Sequence, residues 1–293
     1  HSNRYPSQGL WQRLIDTLRA ARHQASVNHV TGDVHYLSIL LNRRRTVLTI
    51  HDCVTLERLQ GVRRWLFWFF WYWLPVRLCA ATTVVSKSSA DELIRHIRFT
   101  PKILKVIHNP VSDEFQKYPK PFDQLCPRIL QIGTGENKNI YRVSKALRGI
   151  SCVFSVIGAL SENQKETLDR DQITYENYVN LTREEVLNEF RRADIVMFAS
   201  TYEGFGLPIL EAFAAGAPVA AAHASSLPEV GGDAVMYFDP ESVDEMAHAI
   251  ERLLLEEEYR HECVAKGRNQ LKKFSWEKCA KETLEVIRGK NNA

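Results

Sequence analysis

Several features that would classify a protein quickly are scarce or absent in this 293-residue chain. Its six cysteines, Cys53, Cys79, Cys126, Cys152, Cys263 and Cys279, include no CxxC pair and lie far apart. A chain this long has no need of covalent staples, so they read as reduced core thiols of a cytosolic protein. The ten histidines show no HExxH spacing and no pairing with cysteine, which removes the common zinc sites. Neither sign of charge is in excess. Lys plus Arg number 38 against 35 Asp plus Glu, and the resulting +3 is too small and too evenly spread for a nucleic-acid binder. No G-x-x-x-x-G-K-[ST] run occurs, which excludes the common NTPases. No charged-then-apolar leader opens the sequence, so secretion is not expected. No internal repeat and no low-complexity tract is found.

What is present begins with 45% hydrophobic residues, enough for substantial cores and, at this length, for two domains. One segment is unusual. Trp65-Leu66-Phe67-Trp68-Phe69-Phe70-Trp71-Tyr72-Trp73-Leu74 is a dense aromatic run with Arg63, Arg64 and Arg77 at its ends. Broken by Pro75, it falls short of the ~20 apolar residues a helix needs to cross a bilayer. Two readings remain: a core helix packed on a sheet, or an interfacial helix, since Trp and Tyr beside Arg suit the boundary between headgroups and acyl chains.

Short β-rich runs alternate with helical patterns, the signature of parallel sheets covered by helices, so the fold class is α/β. In the first half, strands are expected at 26–29, 46–50, 82–85 and 103–107, with helices at 11–22, 34–41, 62–78 and 88–97. Residues 118–127 contain Pro119, Pro121 and Pro127 without apolar periodicity, as in an extended linker. The domains are therefore read as 1–117, a linker 118–127, and 128–274, with a last helix from 275 to 293 that crosses back to the first domain. Strands of the second half are expected at 128–132, 153–157, 173–175, 195–199, 218–221 and 235–238. Helices are expected at 182–192, 208–215, 243–257 and 276–288.

In open α/β sheets, ligands bind beyond the carboxyl ends of strands, where loops lead into helix starts. Two turns fit. In Ile195-Val196-Met197-Phe198-Ala199-Ser200-Thr201-Tyr202-Glu203-Gly204-Phe205-Gly206-Leu207-Pro208-Ile209-Leu210-Glu211, a strand gives way to a glycine-bearing loop and Pro208 opens a helix. Gly204 and Gly206 allow close backbone approach, the helix start favours phosphate, and Glu203 and Glu211 can accept hydrogen bonds from sugar and ribose hydroxyls. The other turn is Ile132-Gly133-Thr134-Gly135-Glu136-Asn137-Lys138-Asn139. Asp169-Arg170-Asp171 has the form of a metal clamp, but it stands in a polar helix-to-strand connection, 162–172, away from any strand's carboxyl end. No bound metal is expected.

The run Glu203-Gly204-Phe205-Gly206-Leu207-Pro208-Ile209-Leu210-Glu211-Ala212 resembles the Glu-x7-Glu signature of the large retaining glycosyltransferase family 4, which has the two-Rossmann GT-B fold. The likeness continues through Gly216-Ala217-Pro218-Val219, Leu227-Pro228-Glu229-Val230-Gly231-Gly232-Asp233-Ala234 and Phe238-Asp239-Pro240. It is thinner at Thr49-Ile50-His51-Asp52, Val84-Val85-Ser86 and Val106-Ile107-His108-Asn109-Pro110. The resemblance implies that Glu203 contacts hydroxyls of a donor sugar, Glu211 holds the nucleotide ribose, and backbone N–H groups from Gly204 through Phe205 and Gly206 to Leu207 receive phosphate or sugar. Gly133 and Thr134 belong to the loop under the diphosphate, which Lys138 neutralises. Tyr178 and Val179 lie beside the nucleobase, and His51 reaches the donor sugar. Thr134 stands where the family usually has an Arg, so one phosphate cation is missing.

The function so implied is retaining, metal-independent transfer of a hexosyl unit from a UDP- or GDP-linked sugar to an acceptor hydroxyl, in polysaccharide or glycolipid assembly. No cofactor is implied. The expected partners are the nucleotide sugar, a glycan or glycolipid acceptor, and a membrane surface met through Trp65–Trp73, which places the protein in the cytoplasm on the inner face of a membrane. The family's first strand and glycine loop are not found before Trp11, so the first domain reads as truncated. The alternative is a sugar-nucleotide-binding subunit or scaffold, inactive until a partner chain or oligomer completes that domain.

Overall fold

A computed structural model describes residues 9–117 and 120–289. Tyr118 and Pro119 of the expected linker, and residues 1–8 and 290–293, lie outside the described residues. Contacts divide the chain into two units: one from the amino terminus to Asn109 together with Trp276 onward, the other from Pro110 to Ser275. The division falls before the proline-rich stretch. Phe115 packs edge-on against Phe190 and Arg183 pairs with Glu114, which ties 110–117 to the second unit.

The first unit holds a parallel sheet of β1 (Asn28–Val30), β2 (Thr46–Ile50), β3 (Ala81–Val84) and β4 (Leu104–Val106), in that order. Residues 46–50 read Thr-Val-Leu-Thr-Ile, β-branched at four of five positions, and nearly all are buried, as a strand covered on both faces requires. One face carries the main core, with Leu48, Ile50, Val84, Leu93 and Tyr72. On the other, Val286 of the final helix Trp276–Arg288 packs against Val47, Ala81 and Ile107.

The second unit contains β5 (Arg128–Ile132), β6 (Val153–Ile157), β7 (Tyr175–Tyr178), β8 (Ile195–Phe198), β9 (Val219–Ala222) and β10 (Val235–Phe238). Their order is β10-β9-β8-β5-β6-β7, all pairs parallel. From β5 the chain steps outward through β6 and β7, then returns and steps the other way through β8, β9 and β10. The reversal makes the gap between β5 and β8 the topological switch point, where loops part and a ligand has room.

Some expectations are corrected. Residues His35–Leu40 form a 3-10 rather than an α-helix. The aromatic segment runs as α-helix Gly61–Phe67, π-helix Trp68–Trp73 and α-helix Leu74–Leu78. The wider π turn absorbs Pro75, which lacks an N–H and would crowd the carbonyl four residues back in a regular helix. The supposed connection 162–172 contains a nine-residue helix, Glu162–Arg170, started by a Ser161–Gln164 capping box; its polarity hid it. Asp171 ends that helix, buried and held by Arg148 and by Ser144 Oγ at 2.8 Å. The expected strand at 173–175 begins at Tyr175, and a separate helix, Glu257–Leu271, follows Val243–Leu255. The cysteines are all free, but Cys126 is exposed rather than in a core.

Candidate functional site

The loops that follow β5 and β8 meet at the switch point. After β5, Gly133 turns with φ of 89°, and a Cβ there would lie 2.8 Å from Lys138 Cε. Glycine thus lets the Lys138 side chain fold over the loop's own backbone. A short 3-10 turn, Glu136–Lys138, follows, and the Lys138 carbonyl accepts from Gln131 Nε2 at 2.8 Å. The Lys138 ammonium stands 4.7 Å from the centre of the Phe198 ring, at the end of β8, and 2.5 Å from Glu203 Oε1. Both side chains of this pair are 18% exposed. The two loops are stitched further: Asn137 Nδ2 donates to the Tyr202 carbonyl at 3.1 Å, and Thr201 N–H donates to the Asn137 carbonyl at 2.9 Å.

A third loop, after β9, props the second. Glu203 N–H donates to Ser225 Oγ at 2.8 Å, and buried Ser226 donates to the carbonyls of Glu203 and Phe205 at 2.9 and 2.8 Å. Gly206, at φ 103°, then turns the chain into helix Leu207–Ala215, with Pro208 second rather than first in it. Glu211 lies one turn on. Burial pushes its carboxyl above the ordinary range, opposed by Arg183, whose Nη1 is 3.8 Å from Oε1. In this unit, then, residues separated by 65 positions meet as a cation and carboxylate, and Glu211 follows on the helix the same loop initiates.

Other expected site residues sit differently. Thr134 Oγ1 donates to the Ala159 carbonyl at 2.7 Å, and its own carbonyl accepts from Gln164, so this side chain fastens two loops. Tyr178 and Val179 close the edge strand β7. The Tyr178 hydroxyl is engaged with Glu176 and, at 3.1 Å, with Arg128, while Val179 is exposed. His51 follows β2 in the first unit, beside a cavity of about 150 Å³ shared with Asp33, His35, Asp52 and Tyr72. Desolvation of the ring pushes its pKa down, with Asp52 acting the opposite way. Buried His35, its pKa lowered to about 4 mainly by burial, donates from Nδ1–H to the Trp71 carbonyl at 2.8 Å. The reading of the sequence missed Arg183, Asn137, Ser225 and Ser226. Arg183 reaches the site from the start of a helix, Asn137 from the loop after β5 and the two serines from the loop after β9, and no spacing along the chain signals such support.

Among solved structures, a sucrose-phosphate synthase from Thermosynechococcus elongatus superposes with a TM-score of 0.80 over 97% of this chain and 80% of that one, at 16% identity. Anabaena HepE, solved with UDP, gives 0.77 over 95% of this chain and 82% of its own, also at 16% identity. At such identity the likeness is one of fold, and the fold is GT-B, with two parallel-sheet units. Residues 113–270 match the model of glycosyl transferases group 1, and residues 2–115 that of glycosyltransferase family 4. The chain belongs to the glycosyl transferases group 1 family. The O-antigen chain mannosyltransferase B of Escherichia coli is 41% identical over 99 residues, 34% of this chain and 26% of that protein. The MMP alpha-(1->4)-mannosyltransferase of Mycolicibacterium hassiacum is 25% identical over 82% of this chain and 64% of its own length. The chain thus spans from about a quarter to under two thirds of these relatives. No helix among the described residues is long and apolar enough to cross a membrane.

Proposed function

We propose that this chain transfers a hexosyl unit from a UDP- or GDP-linked sugar to a hydroxyl of a glycan or glycolipid acceptor, retaining the anomeric configuration and using no metal. The observation that carries the reading is the Lys138–Glu203 pair at the β5/β8 switch point. A diphosphate entering there takes Lys138 from Glu203 and leaves that carboxylate for sugar hydroxyls. As the glycosidic bond breaks, negative charge grows on the leaving diphosphate, and the Lys138 ammonium stabilises it. The backbone of Gly204, Phe205, Gly206 and Leu207, turning into a helix start, receives phosphate or sugar. Glu211 accepts from the ribose hydroxyls; Gly133 and Thr134 form the floor under the phosphates, and Tyr178 and Val179 border the base. The mannosyltransferase relatives and the UDP complex of HepE support a nucleotide-linked hexose as donor. His51 is assigned a hydrogen bond to the transferred sugar.

The test is turnover by the purified chain with UDP- and GDP-hexoses and a lipid-linked or oligosaccharide acceptor, the product anomer being read by NMR. Transfer with retention, undiminished by EDTA, is expected, with His51→Ala lowering kcat more than donor affinity. An inverted product, or loss of activity on chelation that added metal restores, contradicts the mechanism. Nucleotide binding without turnover until a second protein is added would establish instead a binding subunit.

A further inference from the structure

The aromatic segment has two unlike faces. Trp71 and Tyr72 are buried in the first unit's core with Val76. On the other side Val62 is 74% exposed, Trp65 57%, Leu66 43% and Phe70 40%, at helical spacings of three and four residues. Large apolar groups so grouped are not explained by the fold of the unit. The face is also stiff. Trp65 stacks on Phe69 with ring centres 5.7 Å apart, Phe69 stacks on Trp73 at 5.4 Å, and the Arg77 guanidinium caps the ladder 4.9 Å from the Trp73 ring.

Beside this face runs a groove of about 400 Å³ lined by Gly61, Arg64, Trp65, Trp68, His96 and Arg98. Its wall is fixed, for Trp68 Nε1 donates to the His96 carbonyl at 2.9 Å. Between Gly61 and Leu78 the only charged residues are Arg63, Arg64 and Arg77, with no acid among them. Glu57 lies 3.9 Å from His96, with buried Glu92 within 4.8 Å of both, while neither Arg64 nor Arg98 has an ion pair among the described residues. Aromatic and aliphatic side chains that prefer an interface thus flank unpaired guanidinium groups that bind phosphate through forked hydrogen bonds. Neither signal alone anchors a protein, whereas the two together suit a bilayer of negative surface charge.

We propose that Gly61–Leu78 seats this unit on an anionic phospholipid bilayer, with Val62, Trp65, Leu66 and Phe70 entering the interfacial layer and Arg64 and Arg98 holding a lipid phosphate in the groove. This deepens the acceptor side of the proposed transferase function and rests on it for its purpose, but its test does not require turnover. Sedimentation of the full chain is to be compared on phosphatidylcholine vesicles and on vesicles with 30% phosphatidylglycerol, at ~0.1 and ~0.5 M NaCl, since salt screens charge attraction. At least tenfold stronger binding to the anionic vesicles at low salt is expected, with quenching of tryptophan fluorescence by brominated lipid. The exposed-position variants W65S/F70S and R64S/R98S should each weaken binding about tenfold while leaving the melting temperature and UDP or GDP affinity unchanged. Equal binding to neutral vesicles, no quenching, or variants that bind like the wild type would overturn the proposal. So would a dimer, seen by light scattering and broken by W65S/F70S, that ignores vesicles. A chain that binds nucleotide but no vesicle refutes the docking alone; one that binds vesicles but no nucleotide refutes the transferase reading alone.

Discussion

Gly206 marks the point where one residue decides whether the site can form. Its φ of 103° lies where L side chains are strained, and a Cβ would stand 2.8 Å from Leu227 Cδ2, a side chain buried in the core. Gly206→Ala should therefore cost about 1–3 kcal/mol in urea-denaturation stability and weaken nucleotide binding with it. A variant with wild-type stability and affinity would mean that the loop has another way to turn. At this scale the sequence was most legible where residues act locally: Glu203, Gly206, Pro208 and Glu211 fall within nine positions, so strand, turn and helix could be read together. Lys138 was placed by its resemblance to a family motif, and the structure adds its partner, Glu203, which no local pattern names. Arg183 and Ser226 were invisible, because a helix-start arginine and a loop serine are ordinary until the fold brings them to Glu211 and to the Glu203 carbonyl.

Among the elements, β5, β6 and β7 are tied by a polar network. Buried Arg128, at the start of β5, reaches Glu189 at 3.0 Å, Glu176 on β7 and Ser155 Oγ on β6 at 3.3 Å. The Arg128 guanidinium, then the Tyr178 hydroxyl, hold the Glu176 carboxyl down to about 2. A carboxyl whose folded pKa is depressed adds stability that is complete above its unfolded pKa, ~4.3, and is lost as pH falls through the folded value. The wild type should thus lose stability more steeply than Glu176→Gln between about pH 4.5 and 2, as followed by urea midpoints; the Glu176 side chain is partly exposed, so screening keeps the difference modest. Parallel slopes would remove Glu176 from the network. Elements with strong apolar alternation or β-branched runs, such as Thr46–Ile50 and Arg128–Ile132, were bounded correctly from sequence. Helix Glu162–Arg170 was not, since only Leu168 and a few polar atoms face inward and the hydrophobic signal is nearly absent.

Across the molecule, alternating strands and helices were enough to give two parallel α/β units, and the last helix was read as returning to the first, but where the first unit ends was not legible. Composition marks the prolines of 118–127, whereas the division at Asn109 depends on Phe115 meeting Phe190, a contact 75 positions apart. Likewise, the strand order that creates the switch point between β5 and β8 is a property of pairing, not of any one strand's sequence. The central claim is that this switch point binds a nucleoside diphosphate sugar, with Glu211 on the ribose. Calorimetric titration of UDP and GDP into the wild type and Glu211→Ala tests it most directly. We expect at least one of the nucleotides to bind the wild type, and its affinity to fall about tenfold or more in the variant, the equivalent of ~1.4 kcal/mol or more. Equal affinity in the two proteins, or no binding of either nucleotide to the wild type, would contradict the account.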